Sequence, residues 1–134
     1  MKRTLIVAGV AGLLLVTPVI YTQTRHEIAP EPVSKQATWK EKQRNRAMAK
    51  LYAKAGWGWQ GKQWHCLNTL LTFESRFDHL AVNQKGSSAY GIGQLLNETS
   101  SDPAIQLLHT FRYIQRRYST PCNALAFHNR KNWY

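Results

Sequence analysis

Between residues 62 and about 77, apolar side chains recur at Trp64, Leu67, Leu70 and Leu71, the three-and-four spacing of one helical face. Glu74 follows Leu71 by three places, Leu70 by four and Leu67 by seven, so a carboxyl falls in line with the stripe that should be buried. A second helix is predicted from Asp102-Pro103, an N-cap followed by proline at the first helical position, with Ile105, Leu108, Phe111 and Ile114 or Tyr118 in helical phase. Thr120-Pro121 breaks that helix and opens a short last one near 122–127. Residues 39–55 read as a basic helix with a narrow stripe of Met48, Leu51, Tyr52 and Ala55, ended by Gly56. Such a helix either docks on the domain or lies on a membrane surface. The remaining stretches are an aromatic loop over 57–61, a loop over 80–88 rich in turn formers, and a short segment, 90–96, with Gly91 and Gly93. No strand alternation of any length and no repeat is visible, so the expected fold class is mainly α.

The N-terminal pattern differs. Lys2 and Arg3 precede an uncharged run over 4–24 whose apolar heart is 5–16, the n-region and h-region of a secretory signal. As a helix, residues 5–21 would span roughly 26 Å, slightly short of a hydrocarbon core. No small-x-small cleavage site follows, so an uncleaved signal-anchor is expected, with a cleaved signal as the alternative. The expected organisation is a signal-anchor or transmembrane segment over 1–24, a linker over 25–38 containing Pro30 and Pro32, and a compact domain over 39–134. Lys2 and Arg3 would stay cytoplasmic and the domain would be extracytoplasmic: membrane-anchored on the periplasmic side, or secreted.

Cysteine usage fits that destination. In an exported small domain Cys66 and Cys122 are expected to bridge, two free buried thiols being the alternative. Two cysteines without matching histidine spacing do not make a zinc site, and no cofactor is called for. The formal net charge is +11, from 18 basic and 7 acidic residues. A basic surface suits nucleic acid, anionic lipid or an anionic wall polymer, and export argues against nucleic acid.

A carboxyl held on an apolar stripe is poorly solvated, which raises its pKa and prepares it to donate a proton near neutrality. The alternative is a residue that ends the stripe and snorkels outward or pairs with Arg76. Around Glu74 the motifs accumulate: Glu74-Ser75 at a helix end, Asn83, then Ala89-Tyr90-Gly91-Ile92-Gly93-Gln94, then Tyr113-Ile114 to Arg117-Tyr118. With Gln63-Trp64-x-Cys66-Leu67, Tyr118-Ser119-Thr120-Pro121-Cys122 and a closing Trp133-Tyr134, this order resembles the SLT-type lytic transglycosylases of the lysozyme-like superfamily, in particular their small secreted and phage-associated forms. The resemblance runs from about Trp57 to the C-terminus.

That resemblance implies a lysozyme-like domain that cleaves the β-1,4 bond between N-acetylmuramic acid and N-acetylglucosamine in peptidoglycan, with Glu74 as sole acid/base. Ordinary glycosidases use two carboxylates; in this family the substrate's N-acetyl group and C6 hydroxyl stand in for the second and leave a 1,6-anhydro end. Ser75 would assist the acid or substrate, or satisfy helix-end backbone. Gly91 and Gly93 would let backbone approach a sugar, Gln94 would hydrogen-bond it or simply face water from a loop, and Tyr90 would form groove wall or core. Many relatives carry Ala-Tyr-Asn-Ala-Gly, whose tyrosine contacts the acid; here the stretch is Ala126-Phe127-His128-Asn129. Phe127 supplies an apolar wall without the hydroxyl, and Tyr134 or His128 is left to replace it. Implied partners are glycan strands, the membrane through the N-terminal helix, and a phage particle or a secretion or conjugation assembly. A true lysozyme on the same fold, and a non-catalytic wall-binding module, are the competing readings.

Overall fold

A computed structural model describes residues 36–134. The expected anchor and most of the expected linker lie outside the described residues, and among these no helix is long and apolar enough to cross a membrane. The described residues are mainly helical: α1 Trp39–Trp57, α2 Lys62–Glu74, α3 Pro103–Tyr118 and α4 Pro121–Lys131, with two short strands, β1 Ala89–Tyr90 and β2 Leu95–Leu96. The strands form an antiparallel hairpin, Ala89 opposite Leu96 and Tyr90 opposite Leu95. Each is two residues long, too short to show alternation in sequence, so the hairpin was invisible there.

The helix starts follow local chemistry. Thr38 caps α1 through a full capping box with Glu41. Asp102 and Thr120 accept the N–H groups of Ala104 and Asn123 at the starts of α3 and α4, each followed by proline. Two residues assigned to the linker thus belong to the folded unit, because Thr38 caps the helix and the Ala37 N–H donates to buried Asp78 at 3.0 Å. Helix α1 runs past Gly56 to a left-handed cap at Gly58. Helix α2 stops at Glu74, three residues before the expected end, and α4 extends to Lys131, four beyond it.

Leu67, Leu70 and Leu71 of α2 are fully buried, as their spacing requires, with Phe111 and Ile114 of α3, Ile92 and Ala124. Trp57 and Trp59 close this core with edge-on contacts to Phe111 at 5.2 and 5.6 Å. Two stripes differ from the expectation. On α1 the buried residues are Asn45, Ala49 and Ala53, while Leu51 is exposed and Met48 and Tyr52 are half-buried. Small side chains let α1 approach closely, so its apolar residues are displaced to the edges. On α3 the buried face carries Gln106, Leu107, Thr110, Phe111 and Ile114, and Ile105 is exposed. The two polar members are buried because they are satisfied: Thr110 donates to Gln106 O, and Gln106 bonds three backbone groups of the preceding loops.

Helix α2 packs most extensively on α4. Their starts are joined by the disulfide between Cys66 and Cys122, and the Cys122 N–H donates to Gln63 Oε1 at 3.1 Å. This junction sets the distance between the end of α2, which carries Glu74, and the end of α4, which carries His128.

Candidate active site

Glu74 is the last residue of α2. Beyond it Arg76 and Phe77 both adopt left-handed backbone, φ 56° and 63°, an uncommon choice for non-glycine residues and unfavourable unless surroundings impose it. Several contacts impose it. Phe77 is buried, and its carbonyl accepts from Asn45 Nδ2 at 2.9 Å. Asp78 accepts from the N–H groups of Ala37 and Leu80 and pairs with Lys42 Nζ at 3.0 Å. Burial alone would raise the Asp78 carboxyl, but these donors outweigh it and hold it below its usual range. The turn after the acid is therefore fixed to α1.

The Glu74 side chain is largely buried, and desolvation lifts its pKa from about 4.5 to about 7. Its Oε1 has no hydrogen-bond partner among the described residues. His128 Nε2 lies 3.2 Å from that oxygen, within ion-pair distance but outside hydrogen-bond geometry. The imidazole stacks parallel on Phe73 with ring centroids 5.5 Å apart, and burial lowers its pKa, which favours the neutral ring. A protonatable carboxyl thus faces a neutral imidazole.

The other side-chain carboxyls among the described residues are committed elsewhere. Glu41 belongs to the α1 capping box, Asp78 to the turn and Asp102 to the α3 cap. Glu98 binds His109 Nδ1 at 2.7 Å and accepts the Ser100 N–H. Burial would raise Glu98, and these bonds bring it below the ordinary value. Glu74 is the one carboxyl in this set that no donor stabilises in its charged form.

Two hollows are lined by it. One of about 350 Å³ is lined by Glu74 with Lys42, Phe73, Ser75, Val82 and Gln84. The other, about 410 Å³, is lined by Glu74 with Asn83, Gln94, Leu96, Trp133 and Tyr134. Glu74 is the one lining residue that the two hollows share. No known family model, curated protein or solved structure matches the chain.

The other residues singled out from sequence divide into two groups. Ser75 and Gln94 line the hollows, yet their side chains also satisfy backbone: Ser75 Oγ donates to Ile92 O at 2.7 Å, and Gln94 Nε2 donates to Ala81 O and Gly91 O. Gly91, expected to face a sugar, is buried with φ +74°, and a Cβ there would collide with the Gln106 amide. Gly93 stands in the same way against Thr110. The close approach these glycines permit is to α3. Tyr90 is half-buried in β1 and lines neither hollow beside Glu74.

Phe127 is displaced from its expected place. Its ring packs on Tyr118 and Trp133, at 5.3 and 4.9 Å, and the next residue, His128, meets the acid. Successive residues of a helix point about 100° apart, so only one of the pair can face α2. The Tyr134 hydroxyl donates to Gly93 O at 2.7 Å, and burial, with Glu74 close by, raises its pKa so that it stays protonated. Sequence reasoning missed Phe73 as the stacking partner of His128. The signal was present, since a phenylalanine beside the acid lies next to the apolar stripe, but nothing local says what will stack on it.

Proposed function

We propose that this protein is a peptidoglycan lytic transglycosylase with a lysozyme-like domain and Glu74 as its acid/base. One observation carries the reading: Glu74 alone among the described side-chain carboxyls is held near neutral pKa with no stabilising donor, and it is the one residue that lines both neighbouring hollows. Protonated Glu74 donates to the glycosidic oxygen as the bond to the muramoyl C1 breaks. The muramoyl N-acetyl group stabilises the cationic centre. The carboxylate then takes the proton of the same sugar's C6 hydroxyl as that oxygen bonds to C1, closing the 1,6-anhydro ring and restoring the acid. A second carboxylate, which ordinary glycosidases need, is not required. His128 limits solvation of the acid in place of the tyrosine hydroxyl of similar sequences. The domain acts on the extracytoplasmic side, tethered by the N-terminal segment, and its basic surface meets the anionic wall.

The test is mass spectrometry of soluble products from purified sacculi, with wild type beside Glu74→Gln. Anhydro-muropeptides from wild type alone are expected, with Glu74→Gln folded and at least about a thousandfold slower. Reducing-end products would replace this reading with hydrolysis, and full activity of Glu74→Gln would refute the assignment of the acid.

A further inference from the structure

Trp133 and Tyr134, which line the second hollow beside Glu74, also line a neighbouring one. The neighbouring concavity, of about 290 Å³, shares Gln94, Leu96, Trp133 and Tyr134 with the second hollow and adds Tyr113 and Arg117. Tyr113 and Arg117 in turn line a hollow of about 450 Å³ on α3, with His109, Arg112 and Arg116. Through these shared residues the hollow beside the acid adjoins one that carries Arg117, and that one adjoins a row of arginines.

Arg117 is held unusually well for an exposed arginine. Its guanidinium carbon lies 5.9 Å from the ring centre of Tyr113, 5.6 Å from Tyr118, 5.9 Å from Phe127 and 5.2 Å from Trp133. The rings hold one another: Phe127 meets Trp133 at 4.9 Å and Tyr118 at 5.3 Å. Each ring face attracts the cation and removes rotamer freedom, and the guanidinium also lies within reach of the Tyr118 hydroxyl, which leaves most of its five N–H donors for a ligand. No carboxylate pairs with Arg112, Arg116 or Arg117 among the described residues. A planar fork of donors, fixed in advance and lacking an anion, matches a carboxylate in two-point geometry.

We infer that Arg117 in its aromatic collar is a subsite for the free carboxylate of a peptide stem on the bound glycan strand, with Arg112 and Arg116 as its basic rim. This rests on the glycan-groove reading above and adds a substrate preference: strands with free stem carboxylates over strands whose carboxylates are masked. It also explains why Phe127 faces away from Glu74, since its ring is part of the collar.

The experiment uses full-length protein and soluble glycan strands bearing intact stems, native or with their carboxyls amidated by carbodiimide and ammonia. Binding is measured with the Glu74→Gln protein, where cleavage does not interfere, and turnover with wild type. Amidation is expected to weaken binding about tenfold. Adding Arg117→Gln should weaken binding of native strands by a similar factor and abolish the effect of amidation. Arg117→Lys, which keeps the charge but not the fork, should recover less than half of the loss in log Kd. An amidation effect of equal size with and without Arg117 overturns the subsite, as does failure of any strand to bind. Absence of products from wild type, with the Arg117-dependent difference in Kd intact, would remove the transglycosylase reading and leave the subsite standing.

Discussion

At the scale of single residues, Glu74 is placed at some cost to the fold. Its folded pKa of about 7 exceeds the ordinary value near 4.5, so the folded chain holds this proton more tightly than the unfolded chain. Below 4.5 the carboxyl is protonated in both states and costs nothing. Between 4.5 and 7 stability falls as pH rises, and above 7 the full penalty remains. The shift corresponds to on the order of 3 kcal/mol, lowered to roughly 2 kcal/mol by solvent screening from the open side of the groove. Glu74→Gln is therefore expected to melt higher than wild type at pH 8 and level with it at pH 4. Equal melting temperatures at both pH values would mean that Glu74 is solvated. Under the proposed mechanism the same titration should appear in turnover, with kcat/KM falling as pH rises through about 7 because that mechanism starts from the acid form. A carboxyl three and four places from buried leucines could be read from sequence. Its partner could be narrowed to Tyr134 or His128 and no further, because which residue faces α2 depends on the rotation of α4 about its own axis.

At the scale of elements, α3 organises the loops that surround the acid. Gln106 Oε1 accepts the Ile92 N–H at 2.9 Å, while its Nε2 donates to His79 O at 2.9 Å and Ser100 O at 2.6 Å. One buried amide thus ties together the turn after α2, the β1–β2 hairpin and the segment before α3. Gln106→Leu, of similar volume but without donors or acceptors, should lose about 3 kcal/mol, since three inward-facing backbone groups would be left unpaired. Urea unfolding measures this, and a loss below about 1 kcal/mol would mean that water replaces the amide. This role was illegible in the apolar pattern, which fitted Ile105 and Leu108 as well as Leu107 and Phe111. A glutamine at that phase reads as surface until loops distant in sequence are known to arrive there. The capping residues Thr38, Asp102 and Thr120 act within three residues of themselves, and two of these starts were readable directly, Asp102 and Thr120.

At the scale of the whole molecule, a small basic domain is held by one covalent link. The Cys66–Cys122 bond spans 56 residues of chain, and closing such a loop is worth about 4 kcal/mol in the chain-entropy account. Replacing both cysteines with serine should lower the melting temperature by at least about 15 °C, and a drop below about 5 °C would show that α2–α4 packing suffices. Loosening this junction should also reduce activity below the melting range, because it sets the separation of Glu74 from His128. The amino-acid sequence by itself determined the helical class, the starts of α3 and α4, the buried leucine stripe of α2 and the acid aligned with it. Each depends on contacts within a few residues. Tertiary structure alone decided that His128 meets the acid while Phe127 turns to Arg117, that Gly91 and Gly93 accommodate α3, and that Asp78 and Glu98 are engaged elsewhere. These depend on how helices far apart in sequence rotate and approach, which no local spacing specifies.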